Sequence, residues 1–196
     1  MEQKKLSTTY KLLCRLGFNY PIDDYGEVSL WKVFKQIFTN SFHRLLINSM
    51  NWAILEPINP RKLRPAILRL LGAKVGNNCF IGDYVRVDLN HSKLITIEDG
   101  VHIAGDVRLL CHKKDLQNYF QDKVYGMQPY IYGKIHLCKN CAIGTGSLVM
   151  PGVTVGEGAI VGAGSVVTKD IPAWTIAIGS PAKVVRKIEQ RDDKHL

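Results

Sequence analysis

Residues 137–167 read Leu137-Cys-Lys-Asn-Cys-Ala-Ile143-Gly-Thr-Gly-Ser-Leu-Val149-Met-Pro-Gly-Val-Thr-Val155-Gly-Glu-Gly-Ala-Ile-Val161-Gly-Ala-Gly-Ser-Val-Val167. Every sixth residue is Leu, Ile or Val. An amphipathic helix needs apolar spacing near 3.6, and a free strand a spacing of 2. A period of six is a short strand plus a corner, repeated. Three such units close one triangular coil of 18 residues. Leu137 then stacks on Val155, Ile143 on Val161 and Val149 on Val167, with rungs about 4.8 Å apart.

The count continues upstream through Ile97, Ile103 and Leu109, and before that through Val75, Ile81 and Val87. Glycine often follows the aliphatic residue, as at Gly76, Gly82, Gly144, Gly156 and Gly162, and relieves crowding at the corners. The fifth column is small or β-branched, as at Cys79, Val101, Cys141, Ser147 and Ser165. Two interruptions break the count: four extra residues between Val87 and Ile97, and 22 between Leu109 and Leu137. The second, 113–133, carries Tyr119, Phe120, Tyr125, Tyr130 and Tyr132, which argues against disorder. It reads either as a lid or acceptor-binding arm, or as an arm packing on a neighbouring subunit.

The predicted organisation is a helical region over 1–72, the repeats over 73–180 and a short C-terminal helix or arm over 181–196, frayed beyond 190. In the first region Trp31, Phe34, Phe38, Phe42, Leu45 and Leu46 fall near helical spacing, with Lys32, Lys35 and Arg44 between them. Such a helix either makes a peripheral membrane contact or covers the open end of the prism. A second helix is expected from Pro65, with Gly72 as its C-cap.

The 196 residues carry 26 basic and 17 acidic side chains, a net charge of +9. Residues 1–72 hold 11 Lys/Arg against 5 Asp/Glu, so the excess is concentrated there. No Lys/Arg block or nucleic-acid motif accompanies it, and nucleic acid is not an expected partner. No run of 18 apolar residues exists, and the Met1-Glu-Gln-Lys-Lys start lacks a signal core. Five scattered cysteines argue for a reducing, cytoplasmic setting. Cys138 and Cys141 form a single CxxC without two further ligands nearby in the chain, which reads as structural, and no metal is expected.

The hexad run, together with Gly162-Ala-Gly-Ser-Val-Val-Thr-Lys-Asp-Ile-Pro and Ile178-Gly-Ser-Pro-Ala-Lys-Val-Val-Arg-Lys-Ile, resembles the hexapeptide-repeat acyltransferases. The resemblance covers residues 60–188. It implies an all-β core, a left-handed parallel β-helix and a homotrimer. It also implies acetyl-CoA as donor and a saccharide acceptor, as in galactoside, maltose, nodulation-factor and exopolysaccharide acetyltransferases. The stretch Leu109-Leu-Cys-His-Lys-Lys-Asp looks like the last group and suggests a role in surface polysaccharide synthesis. Relatives often carry Trp at Ala142; its absence here widens the pocket.

His112, where the long loop leaves the second coil, falls at the family's catalytic histidine. The chemistry needs a group that takes a proton from a hydroxyl near neutral pH, as imidazole does. Thr145 falls where a backbone amide faces the thioester, Ala163 where the pantetheine is held, and Thr168, Lys169, Lys183 and Arg186 where the CoA phosphates bind. Phosphates suit Lys and Arg. Asp88 reads as an acceptor ligand, as the group orienting His112, or as a solvated corner. Asp115 is a second orienting candidate, Tyr119 an acceptor contact, and His91 a competing histidine. Two alternatives remain open: acetylation of another small acceptor, such as an amino sugar or a xenobiotic, and a catalytically inactive scaffold. The zinc hydratases of this prism require a histidine five beyond His112, where Gln117 stands.

Overall fold

A computed structural model describes residues 6–18 and 22–190. The tail from residue 191 with His195, for which fraying was expected, and the start at Met1–Lys5 lie outside the described residues. The chain forms two compact units, 1–45 and 46–196. The boundary thus falls well before residue 72.

In the first unit Ser7 caps α1 (Thr8–Arg15) by accepting from the Tyr10 amide at 3.1 Å. A short α2 (Ile22–Tyr25) follows. Both fall in the region expected to be helical, although the sequence reading placed neither of them individually. α3 (Leu30–Ser49) contains the expected amphipathic run. Ser29 caps it through the Lys32 amide at 3.2 Å. None of its side chains is buried; Trp31 is 77% and Phe38 74% exposed.

The second unit is a parallel β-helix with three faces. The first stacks β1 (Lys74–Val75), β4 (Ile95–Ile97), β9 (Ile135–Leu137) and β12 (Thr154–Val155). The second stacks β2 (Phe80–Ile81), β5 (His102–Ile103), β10 (Ala142–Ile143), β13 (Ile160–Val161) and β15 (Thr175–Gly179). The third stacks β3 (Arg86–Val87), β6 (Arg108–Leu109), β11 (Leu148–Val149) and β14 (Val166–Val167). The register is that of the hexads: Val75, Ile97, Leu137 and Val155 align, as do Val87, Leu109, Val149 and Val167. Eleven of the twelve aliphatic positions are buried and Val75 is half-buried.

The corners have a rule of their own. The third residue after an inward aliphatic takes a left-handed backbone, with φ 55° at Asn140 and 59° at Asp106. Asn, Asp and Gly tolerate that region best. The residue directly after the aliphatic is small for a different reason. A Cβ on Gly144 would lie 2.5 Å from the Ala163 nitrogen on the next coil.

A fifth, shortened coil follows the four legible ones. Ile171 bridges to Val155 and Ala177 pairs with Val161, each 16 residues on rather than 18. The chain then reverses into β16 (Ala182–Lys187), antiparallel to β15. The C-terminal segment is therefore a strand and not a helix.

At the other end, α4 (Arg64–Leu70) ends at Leu71, with Gly72 at φ 97°. Met50, Ile67, Leu68 and Leu71 join the same core as Ile81 and Val87. Arg64 is 1% exposed. It donates to the carbonyls of Met50 (2.9 Å) and Ile81 (3.0 Å) and pairs with Asp83. These contacts build residues 46–72 into the prism. The 113–133 excursion is a hairpin of β7 (His112–Lys114) and β8 (Tyr130–Tyr132), with His112 opposite Tyr132. Among the described residues no helix is long and apolar enough to cross a membrane.

Candidate active site

Asp88 follows Val87, and its amide donates to the Leu109 carbonyl at 3.2 Å. One coil on, Leu110 bonds Val149, Cys111 is buried, and His112 opens the hairpin. Asp88 and His112 thus leave the same corner of the prism, 24 residues apart in sequence. The Asp88 side chain is 6% exposed. One of its oxygens, Oδ2, accepts from His112 Nδ1, and the other from His91 Nδ1 at 3.1 Å. The four-residue interruption explains His91. The chain turns after Asp88, with the His91 amide on the Asp88 carbonyl at 3.0 Å, and continues through a 3-10 turn at Ser92–Leu94.

Burial pushes the Asp88 carboxyl upward, but the hydrogen bonds from His112 and then His91 outweigh it and hold its pKa below the ordinary carboxylate value. An ionised carboxylate only accepts, so each Nδ1 carries the proton. The Nε2 of a neutral His112 is then left as an acceptor. Cys111, beside this carboxylate, is pushed up to about 12 by burial and the negative charge. It is therefore a packing residue and not a nucleophile.

The hairpin supplies an aromatic wall. Tyr132 lies 4.5 Å from His91 between ring centroids, and Tyr130 meets His112 edge-on at 5.3 Å. Lys114 sits 3.8 Å from the Tyr130 ring and donates to the Gln128 carbonyl at 2.6 Å. Beside the corner opens a cavity of about 590 Å³, lined by Ile47, Asn48, Asn51, Arg86 and Leu89 among others.

The other sequence candidates lie elsewhere. Asp115 accepts from the Gln117 amide at 3.0 Å and its own amide donates to Pro129, so it shapes the hairpin and does not touch His112. Tyr119 is 40% exposed against Tyr125. Thr145 and Ala163 are exposed at the corner between the second and third faces, linked by Gly164 N–H to the Thr145 carbonyl at 2.8 Å. Thr168 and Lys169 are exposed where the chain leaves the third face. Lys183 and Arg186 lie on β16, opposite Ile178 and Ile176. Within one chain, His112 and Thr145 are separated by the width of the third face, roughly 15 Å at about 3.3 Å per strand residue.

Among the described residues, two groups bring three potential metal ligands within 4.8 Å of one another: Asp88, His91 and His112, and Glu98, His136 and Cys138. In the first, hydrogen bonds already occupy the ring nitrogens facing Asp88. In the second, His136 Nε2 pairs with Glu98 at 2.8 Å on the first face. The fold therefore gives Cys138 two neighbours that spacing along the chain did not reveal. Cys141 is buried, its thiol pushed up to about 12 by burial and the adjacent Cys138.

Residues 134–169 match the family model described as bacterial transferase hexapeptide, six repeats. A Saccharomyces cerevisiae protein, provisionally named an acetyltransferase, is 34% identical over 158 residues, covering 70% of this chain and 77% of that protein. The chain belongs to the hexapeptide-repeat transferase family. Its β-helix is the left-handed one of that family. A Schizosaccharomyces pombe relative, also provisionally named an acetyltransferase, is 44% identical over 98 residues, 49% of this hexapeptide-repeat transferase and 44% of that protein. The matched part thus spans less than half of that relative's length. Among solved structures, a maltose O-acetyltransferase from Clostridium difficile superposes with a TM-score of 0.56 at 25% identity, over 79% of this chain and 88% of that one. A galactoside acetyltransferase in complex with coenzyme A gives 0.57 at 21%, over 87% and 92%, and shares the fold.

Sequence reasoning about this hexapeptide-repeat transferase missed the part played by His91, Tyr130 and Tyr132. A signal existed: the Asp88–His91 spacing inside an interruption, and two alternating tyrosines where the long loop must rejoin the coil.

Proposed function

We propose that the protein transfers the acetyl group of acetyl-CoA to a hydroxyl of a saccharide, in the synthesis of a surface polysaccharide. The Asp88–His112 pair carries this reading. Asp88 fixes the tautomer in which His112 Nε2 accepts the hydroxyl proton. The acceptor oxygen then attacks the thioester carbonyl. The resulting oxyanion is held by a backbone amide near Thr145. Collapse expels the CoA thiolate, which takes the proton back from His112. No covalent acyl-enzyme is required when both substrates lie in one cleft.

His112 and Thr145 stand on different corners, so this chemistry requires two chains side by side, the second contributing Thr145 and Ala163. A cyclic trimer of parallel prisms meets that need, because a heterologous interface closes on itself. Thr168, Lys169, Lys183 and Arg186 hold the CoA phosphates. Five free cysteines fit a reducing cytoplasm. The maltose and galactoside names among the structural neighbours, and the resemblance of Leu109–Asp115 to exopolysaccharide enzymes, support an oxygen acceptor.

The test is release of free CoA thiol, followed colorimetrically, with neutral sugars, sugar phosphates, nucleoside diphospho-sugars and amino sugars. Turnover with a hydroxyl acceptor, lowered by about 10²–10⁴ in His112→Ala, is the expected result. Turnover restricted to amines, or undiminished in that variant, overturns the reading.

A further inference from the structure

Arg86 and Arg108 are paired residues on adjacent rungs of β3 and β6. Val87 and Leu109 point inward, so the two arginines share the outer surface of the third face, and both are exposed. Their Cα atoms are about one rung, ~4.8 Å, apart. The outward column reads Arg86, Arg108, Leu148, Val166 and contains no carboxylate. Like charges on paired positions disfavour a sheet. The nearby acids do not relieve this one. Asp83 is paired with Arg64, and Asp88 is held by two histidines. Among the described residues no ion pair joins Asp106, or any other acid, to either arginine. The fold therefore maintains two arginines at paired positions on one strip of surface, with no ion pair to either among the described residues.

That strip adjoins the candidate site. Arg86 lies two residues before Asp88, which follows β3 at the corner, about 6.6 Å along the chain. A separation of that order is comparable to the span of one sugar ring. Arg86 also lines the cavity of about 590 Å³ with Asn48, Asn51 and Leu89. Guanidinium groups bind phosphoryl oxygens through parallel N–H donors, and a pair of them suits a phosphate or diphosphate.

We propose that Arg86 and Arg108 form a binding site for a phosphoryl group on the acceptor, so that the substrate is a phosphorylated saccharide rather than a neutral glycan. This inference rests on the acetyl-transfer reading of the same corner. A free sugar phosphate and a nucleoside diphospho-sugar present the same chemistry, and the experiment separates them.

Two readouts are taken on the full chain. The first is protection against thermal unfolding by glucose 1-phosphate, uridine diphosphoglucose, glucuronic acid and maltose, which needs no turnover. The second is CoA release with the same four acceptors. Phosphorylated ligands are expected to bind at least tenfold more tightly than maltose. Arg86→Ala and Arg108→Ala are each expected to raise the Kd and KM for the phosphorylated ligand at least tenfold, while the KM for acetyl-CoA stays within twofold. Arg86→Lys is expected to recover part of the loss. The better of glucose 1-phosphate and uridine diphosphoglucose identifies the source of the phosphoryl group. Binding of maltose or glucuronic acid as tight as that of the phosphorylated ligands, or phosphorylated-ligand binding unchanged in both alanine variants, overturns the proposal. Arginine-dependent binding without any CoA release leaves this site standing and removes the acetyl-transfer reading instead.

Discussion

His112 and Thr145 occupy different corners of the prism, on opposite margins of its third face. A general base and an oxyanion donor must meet within a few ångströms of one carbonyl carbon. On the roles proposed for His112 and Thr145, one chain alone does not supply both groups.

Mixed trimers test this directly. His112→Ala removes the base, and Ala163→Trp fills an exposed corner expected to hold pantetheine. Each variant alone should be inactive. Refolded together in equal amounts, they should recover about one quarter of wild-type activity, because random cyclic assembly pairs an intact His112 with an intact Ala163 at that frequency. No recovery, with a trimeric mass by light scattering, would place both halves of the site in one chain.

His112→Ala should fold, since the residue opens a hairpin and does not belong to the aliphatic stack. Its kcat should fall by about 10²–10⁴, the usual contribution of a positioned general base, with the KM for acetyl-CoA little changed. Asp88→Asn keeps the shape but frees the His112 tautomer. It should lose at least tenfold in kcat while His91→Ala, which leaves the Asp88–His112 bond intact, loses less. Steady-state kinetics of the three variants decide the order.

Asp88 also carries a pH signature. Its pKa in the fold lies below the ordinary value, so the unfolded chain binds its proton more readily. The stability it contributes is present in full above the unfolded carboxylate value near ~3.9, and drains away as pH falls through the lower folded value. Urea unfolding of wild type and Asp88→Asn at pH 7 and pH 3 should show a gap that narrows in acid. A gap that widens in acid would contradict the sign.

Arg64 is the structural counterpart. Arg64→Met should leave the Met50 and Ile81 carbonyls without their donor, at about 1–3 kcal/mol for each buried group left unsatisfied. The melting temperature should drop by several degrees. Catalysis at permissive temperature should be retained, because the bonds of Arg64 to Met50, Ile81 and Asp83 serve the packing of residues 46–72 on the prism.

Most of the prism was legible because its period is so unlike that of helix or strand. Ile143 and Val161 have to face inward, and Gly144 has to be small, whatever the rest of the chain does. The shortened fifth coil was not legible, because Ile171 and Ala177 break the count of 18 by two. Asp88 and His112 were readable as polar residues at corners, but their contact was not. It depends on a stacking partner 24 residues away, past an irregular interruption. His91 and the tyrosines of the hairpin were hidden for the same reason: loops that rejoin a coil bring side chains together without any periodic trace. The boundary near residue 45 escaped because Met50 and Arg64 look like ordinary helix residues in sequence, whereas both are buried in the prism.

The reversal into β16 has a consequence for the molecule among its own copies. A stack of parallel rungs is the geometry of a fibril, and nothing in the hexads themselves limits its length. Here the last rung is met by a strand of opposite sense that presents Lys183, Arg186 and Lys187 to solvent, and the first is covered by α4. On the second face an incoming copy therefore meets an antiparallel strand where the stack would otherwise offer a parallel template. There the chain itself ends a fold that could propagate.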